Sequence, residues 1–143
     1  MSQSNTQQGQ IVLPANINLK GKEGLLCQII KSASTGKASF TIHNNEALVN
    51  PNFVITDGDE QDKSTAALPL SPDRSVRVIL AGACEAGDTL VAASVGGGTA
   101  GRVRKLPATA GTYVIIGIAE EDGVNTQLVK LRPHRTGERI TVS

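Results

Sequence analysis

Aromatic side chains are nearly missing from this chain of 143 residues: Phe40, Phe53 and Tyr113 are the whole set, and tryptophan is absent. The core therefore has to be built from Val, Ile, Leu and Ala. The stacked rings with which proteins hold single-stranded bases, sugars or methylated lysines are lacking too. Cysteine is scarce. Cys27 and Cys84 belong to no C-x-x-C pair and have no histidine near them in sequence, which excludes a zinc site. In GLLCQII, Cys27 reads as a small buried hydrophobe; in GACEAGD, Cys84 reads as a structural thiol at a strand-to-turn edge. A disulfide between the two stays open. No apolar run approaches the ~18 residues of a membrane helix, and the N-terminus has no basic-then-apolar leader, so a soluble chain made in the cytoplasm, with no membrane part, is expected.

Charge of one sign is lacking as well. Charged residues make up 19%, and 14 basic against 13 acidic side chains leave a net charge of +1, so the molecule as a whole is no polycation for nucleic acid. The distribution is uneven: residues 1–100 hold 7 basic and 9 acidic groups, residues 101–143 hold 7 and 4. That asymmetry is mild, and it can orient the molecule on a surface.

What the chain does have is punctuation. Its 15 Gly and 6 Pro, with Asn and Asp, cut it into short apolar stretches. Strands are expected at 10–13, 24–32, 38–43, 53–56, 75–81, 89–94, 102–106, 112–119, 126–132 and 139–142. In TQLVKLR, strict alternation puts Leu128 and Lys130 on one face and Val129 and Leu131 on the other; in RVRKL it sets Val103 and Lys105 against Arg104 and Leu106. YVIIGI is a continuous β-branched run that suits a strand buried on both sides. No window carries the i, i+3, i+4, i+7 spacing of a helix. The expected fold is all-β, a compact β-barrel or β-sandwich-like domain over 11–143. The polar segment 1–10, MSQSNTQQGQ, reads as a flexible N-terminal arm. The Asn-, Asp- and Pro-rich stretch 44–73 reads as an extended loop or hairpin excursion, a place for partner contacts.

The motifs that would carry chemistry fail on inspection. Gly96, Gly98 and Gly101 spell G-x-G-x-x-G after a strand, with Glu120 about twenty residues on, but a dinucleotide site needs a helix next, and Pro107 and Gly111 interrupt the segment that follows. A flexible hairpin loop is the better reading. Asp57, Asp59 and Asp62 in DGDEQD have the look of a calcium loop, but its twelfth position is Leu68, not a carboxylate. His43 and His134 are single histidines without a nucleophile motif. Glu120, Glu121 and Asp122 are consecutive and read as a polar strand end. No catalytic, cofactor or metal residues are expected, and no enzyme. Arg132, His134, Arg135 and Arg139 form the densest basic segment, suited to phosphate or to a protein surface.

Two stretches go beyond a generic β pattern: PANINLKGKEGLLCQII (14–30), and LSPDRSVRVILAGACEAGDTLVAAS (70–94) with GRVRKLPATAGTYVIIGIAEEDGVNTQLVKLRP (101–133). The order is a strand, A-G-D, a strand, a Gly-rich loop, a strand ending in Leu-Pro, G-T-Y-x-x-x-G-x-A-E-E, and a closing L-V-K-L-R-P strand. This resembles the small capsid decoration, or cement, proteins of tailed bacteriophages. Ala86-Gly87-Asp88 makes a tight turn, and Gly117 marks a bulge or close backbone approach.

The resemblance implies a virion structural protein on the outer capsid surface. It would bind between major capsid protein subunits, commonly as a homotrimer, and stabilise the expanded head. The alternatives are a small nucleic-acid-binding barrel, which the missing rings disfavour, and an adaptor or carrier domain. For the carrier reading, GDTLV is a faint match to a lipoyl-type hairpin whose lysine is absent.

Overall fold

Strand breaks fall where glycine, proline and Asx residues interrupt the β-branched runs. The structure, a computed structural model, describes residues 9–43, 50–93, 98–135 and 137–143, and among these there is no helix. The strands are β1 (Ile11–Pro14), β2 (Leu26–Lys31), β3 (Ala38–Ile42), β4 (Phe53–Asp57), β5 (Ser64–Pro69), β6 (Val76–Ile79), β7 (Thr89–Ala92), β8 (Val103–Lys105), β9 (Gly111–Ala119), β10 (Leu128–Pro133) and β11 (Arg139–Val142). They form two antiparallel sheets. The first has the order β1-β5-β4-β2-β3; the second has the order β6-β10-β9-β7-β8, with β11 added along β9. Neither closes into a barrel, and the domain is sandwich-like.

The two orders are the same order. Counted from the first strand of each sheet, both read 1-5-4-2-3, and the chain is an internal structural repeat. The correspondence extends to single bonds. In each repeat the end of the first strand meets the third through one parallel bridge, Ala15 with Phe40 and Leu80 with Val103. The next amide donates to the same carbonyl, Asn16 N to Phe40 O (2.8 Å) and Ala81 N to Val103 O (2.7 Å). The turn before the second strand is built alike, with Leu25 N on Lys22 O and Asp88 N on Glu85 O, and Gly24 and Gly87 at φ 88° and 91°. The hairpin between the fourth and fifth strands pairs Phe53 with Pro69 in one repeat and Gly117 with Pro133 in the other. β11 has no counterpart in the first repeat. It follows β10 in the chain and pairs Arg139–Val142 with Val114–Gly111.

Equivalent positions fill the two interiors. Ala15, Leu19, Cys27, Phe40, Ile55 and Ala67 cluster inside the first sheet, where Phe40 and Phe53 meet edge to face at 5.4 Å. Leu80, Cys84, Leu90, Val103, Ala119 and Leu131 hold the matching places in the second. The repeats join through the outer side of the first: Leu26 and Val54, fully or almost fully buried, belong to the second sheet's cluster, with Leu68 packed on it. Backbone bonds cross this seam, among them Leu26 N to Gly101 O (2.8 Å) and Ile79 N to Gly24 O (3.0 Å). Gly24 is required there, since a Cβ would stand 2.3 Å from Leu128 Cδ2 at a left-handed φ.

Sequence and structure differ in three places. The strand β5 was not expected; Ser64–Pro69 is poor in β-formers but is held between β1 and β4. The stretch 44–73 does not leave the body where it is described: β4 is an inner strand of the first sheet, with Val54 and Ile55 buried, and β4 and β5 form a hairpin within it. Its Asp- and Ser-rich composition belongs to the turns at 58–63 and 70–75, and residues 44–49 lie outside the described residues. In β9, Ile118 is 37% exposed while Val114, Ile116 and Ala119 are buried, so the run faces the core on one side only. The alternation of β10 is as expected, with Val129 and Leu131 buried and Leu128, Lys130 and Arg132 outward. Of the arm, residues 1–8 lie outside the described residues, and Gly9 and Gln10 are exposed.

Candidate functional site

The residues singled out by sequence are dispersed over both repeats. Asp59 accepts the Glu60 amide at 2.8 Å, and Asp62 occupies a left-handed turn position (φ 67°). Among the described residues no three His, Cys, Asp or Glu side chains group as metal ligands. The Gly-rich stretch lies in the β7–β8 hairpin; residues 94–97 are outside the described residues, and Gly101 packs at the seam, where a Cβ would be 3.1 Å from Leu26 O. His43 is fully buried, with Nδ1 3.1 Å from Gln28 Oε1. His134 Nδ1 lies 2.7 Å from Glu138 Oε2.

Both thiols are buried and unpaired with each other. Burial pushes Cys27 up to about 12, and burial with the nearby Asp88 and Asp122 also raises Cys84. These are sulfurs kept as thiols, not nucleophiles. The Glu85–Asp88 turn is a type II geometry with Gly87 third, closed further by Glu85 N on Asp88 Oδ2 at 2.8 Å and pinned by Ala86 N on Asp122 Oδ1 at 2.8 Å. The Glu85 amide, together with Lys105 at 3.2 Å, holds the Asp88 carboxyl below its ordinary range.

The acidic run Glu120–Glu121–Asp122 is brought together with basic residues from two strands, β6 and β10. Glu120 accepts from the Ser75 hydroxyl and pairs with Arg132 Nη2 at 3.5 Å; the Ser75 bond first, then Arg132 and Lys130, lower its carboxyl from the usual value. Glu121 Oε1 takes Arg77 Nη1 at 3.2 Å and the Lys130 amide at 2.9 Å. The expected basic segment is thereby divided. Arg132 is drawn to Glu120, His134 to Glu138, and Arg139 reaches Gly137 O and Asn50 Oδ1, while Arg135 is exposed.

What sequence did not show is the surface that register assembles. On the outer face of the second sheet, Arg77 of β6 stands opposite Lys130 of β10, and Arg132, two residues along, stands opposite Ile118 of β9. Leu128, 42% exposed, lies on the same face. Beside it, along the seam between repeats, runs a groove of about 300 Å³ lined by Val54, Leu68, Val76 and Leu128, with Glu23 and Arg77 among its polar lining residues. Among the described residues the surface has no constellation for nucleophilic or acid–base chemistry. Its character is exposed aliphatic side chains surrounded by charge.

No protein-family model matches the chain, and no curated protein matches it. Among solved structures, the fold is similar to the head fiber gp8.5 N base of bacteriophage phi29. The TM-score is 0.59 at 19% sequence identity, and the match covers 90% of this chain and 96% of that one. At that identity the likeness is one of fold: the all-β double-sheet architecture is shared almost end to end.

Proposed function

We propose that the chain is a structural protein of a tailed-phage virion, seated on the outside of the assembled head between major capsid subunits, where it stabilises the expanded shell. The single observation that carries this reading is the fold shared with a phage head-fiber base over nearly the full length of both chains. The sequence adds its own support, since the A-G-D turn, the Gly-rich hairpin and the closing L-V-K-L-R-P strand resemble those of capsid decoration proteins. The groups able to do chemistry are held in turns and ion pairs, which suits a non-enzymatic role.

The mechanism is one of avidity and linkage. A homo-oligomer, a trimer on this reading, touches several shell subunits at once, and each later contact forms at high effective concentration. A protein that binds the expanded lattice and not its precursor stabilises the expanded state by mass action. The test is co-sedimentation of purified protein with undecorated expanded heads. Saturation at a stoichiometry matching a lattice site, with heads that better resist heating, is the expected result. Absence of binding at high protein concentration overturns the reading.

A further inference from the structure

We propose that the outer face of the second sheet, together with the seam groove beside it, docks onto an acidic protein surface that inserts an aliphatic side chain into the groove. The identity of that partner as the capsid shell rests on the function proposed above; the face itself is argued from its own residues.

The internal repeat supplies the control. Fold-equivalent positions carry Arg77 against Val12, Lys130 against Ala66, Arg132 against Leu68 and Ile118 against Val54. The same strand pairing is therefore built in the first repeat without a charge at any of the four, so the fold does not require cations there. In the second repeat two cations stand directly across a ladder from each other, an arrangement that costs stability in an antiparallel pair. The first repeat builds the same pairing without these cations, and a charge that the fold does not need points to a partner.

The arrangement also states the partner's chemistry. Glu121 and Glu120 hold the guanidinium groups of Arg77 and Arg132 in place on the face, which pre-orders them for a carboxylate. None of the ion pairs among the described residues uses Lys130, which stands opposite Arg77 across the ladder. Ile118 and Leu128 give the face exposed aliphatic contacts, and Leu128 continues into the groove. Arginines around an apolar centre are the composition of a protein interface, whereas a nucleic-acid face needs rings and an uninterrupted basic track. The groove is large enough for a single Leu- or Ile-sized side chain and too small for an element of secondary structure.

The test measures binding to undecorated expanded heads for the full chain and for Lys130→Glu and Arg77→Gln, with Lys20→Glu on an exposed turn of the first repeat as control. Thermal melts check that each variant is folded. The expected result is an affinity that falls as NaCl is raised from about 50 to about 500 mM, at least about tenfold weaker binding for Lys130→Glu, and a change within about twofold for Lys20→Glu. Folded Lys130→Glu and Arg77→Gln that bind heads as the unaltered chain does overturn the docking face and leave the head-binding function standing. Failure of the unaltered chain to bind heads overturns the function and this partner together. Two further outcomes replace the partner: duplex DNA binding lost in Lys130→Glu makes it nucleic acid, and a light-scattering mass that drops in Lys130→Glu makes it a second copy of this chain.

Discussion

Asp62 and Thr126 are the same residue position in two successive repeats. The Asp62 amide donates to Ala15 O at 2.9 Å and the Thr126 amide to Leu80 O at 3.0 Å, and both residues are left-handed, at φ 67° and 70°. They are the only non-glycine residues with positive φ among those described. The hairpin joining the fourth and fifth strands needs this kink to bring its amide back onto the end of the first strand.

Aspartate tolerates that conformation; a β-branched threonine does not. Thr126→Asn relieves the strain while its exposed side chain loses no core contact. The expected effect is a gain of about 1 kcal/mol, read as a higher urea midpoint at constant slope. Asp62→Thr in the other repeat is expected to lose a similar amount. Equal midpoints for Thr126→Asn and the unaltered chain would show that the strain is relieved elsewhere in the turn.

At Gly117 the constraint is space, not φ. A Cβ there would stand 2.2 Å from Arg132 O and 2.9 Å from Pro133 Cα, so β9 and β10 approach more closely than any side chain permits. The register between β7 and β9 shifts beside it, from Leu90–Gly117 to Val91–Ile115. Gly117→Ala forces the two central strands apart and is expected to cost at least about 2 kcal/mol in chemical unfolding. Gly82→Ala, where a Cβ meets nothing within 4 Å but φ is 112°, isolates the conformational cost and is expected to lose only about 1 kcal/mol.

Much of this was legible in the sequence because one-sided burial writes itself as alternation. Val129 and Leu131 inward with Lys130 and Arg132 outward is readable in β10, and Gly117 announces its close approach within an apolar run. The strand β5 was not readable. Its Ser64, Ala66 and Ala67 are small enough for a turn, and only the neighbours β1 and β4 make them a strand. The repeat itself is hidden for a related reason. Between Phe53–Pro69 and Gly117–Pro133 the final prolines are the one identity, because each interior position asks for apolar volume, met by Ile55 in one repeat and Ala119 in the other. The basic face was hidden because Arg77 and Lys130 become neighbours only through strand register.

The Cys27 thiol gives a pH-dependent signature. Buried among Leu25, Phe40 and Ile55, it titrates at about 12 in place of its ordinary 9.0. A group whose folded pKa is raised contributes stability in full below its unfolded value and loses it as pH rises to the folded one. Stability is therefore expected to fall between pH 9 and about pH 12, and Cys27→Ala to flatten that part of the profile while lowering the plateau through the lost volume. Thiol reagents at neutral pH should modify Cys27 only in denaturant. Rapid labelling of Cys27 in the native protein would mean that the first repeat opens on its own.

Val54 and Ile118 put the division of labour between the repeats to a direct test. They are fold-equivalent: Val54 pairs with Leu26 and Leu68, Ile118 with Thr89 and Arg132. Val54 is 2% exposed because the second repeat covers it, and Ile118 is 37% exposed because nothing among the described residues covers it. Val54→Ala opens a cavity in the seam and is expected to cost about 2 kcal/mol, while Ile118→Ala should cost less than about 1 kcal/mol. On the docking face proposed here Ile118→Ala weakens attachment to the partner while leaving the fold intact, and Val54→Ala, at a lining residue of the groove, changes attachment and stability together. If both substitutions cost the same stability and neither changes binding, Ile118 is an ordinary packed residue of its own sheet, and the partner's apolar contact must be sought at Leu128.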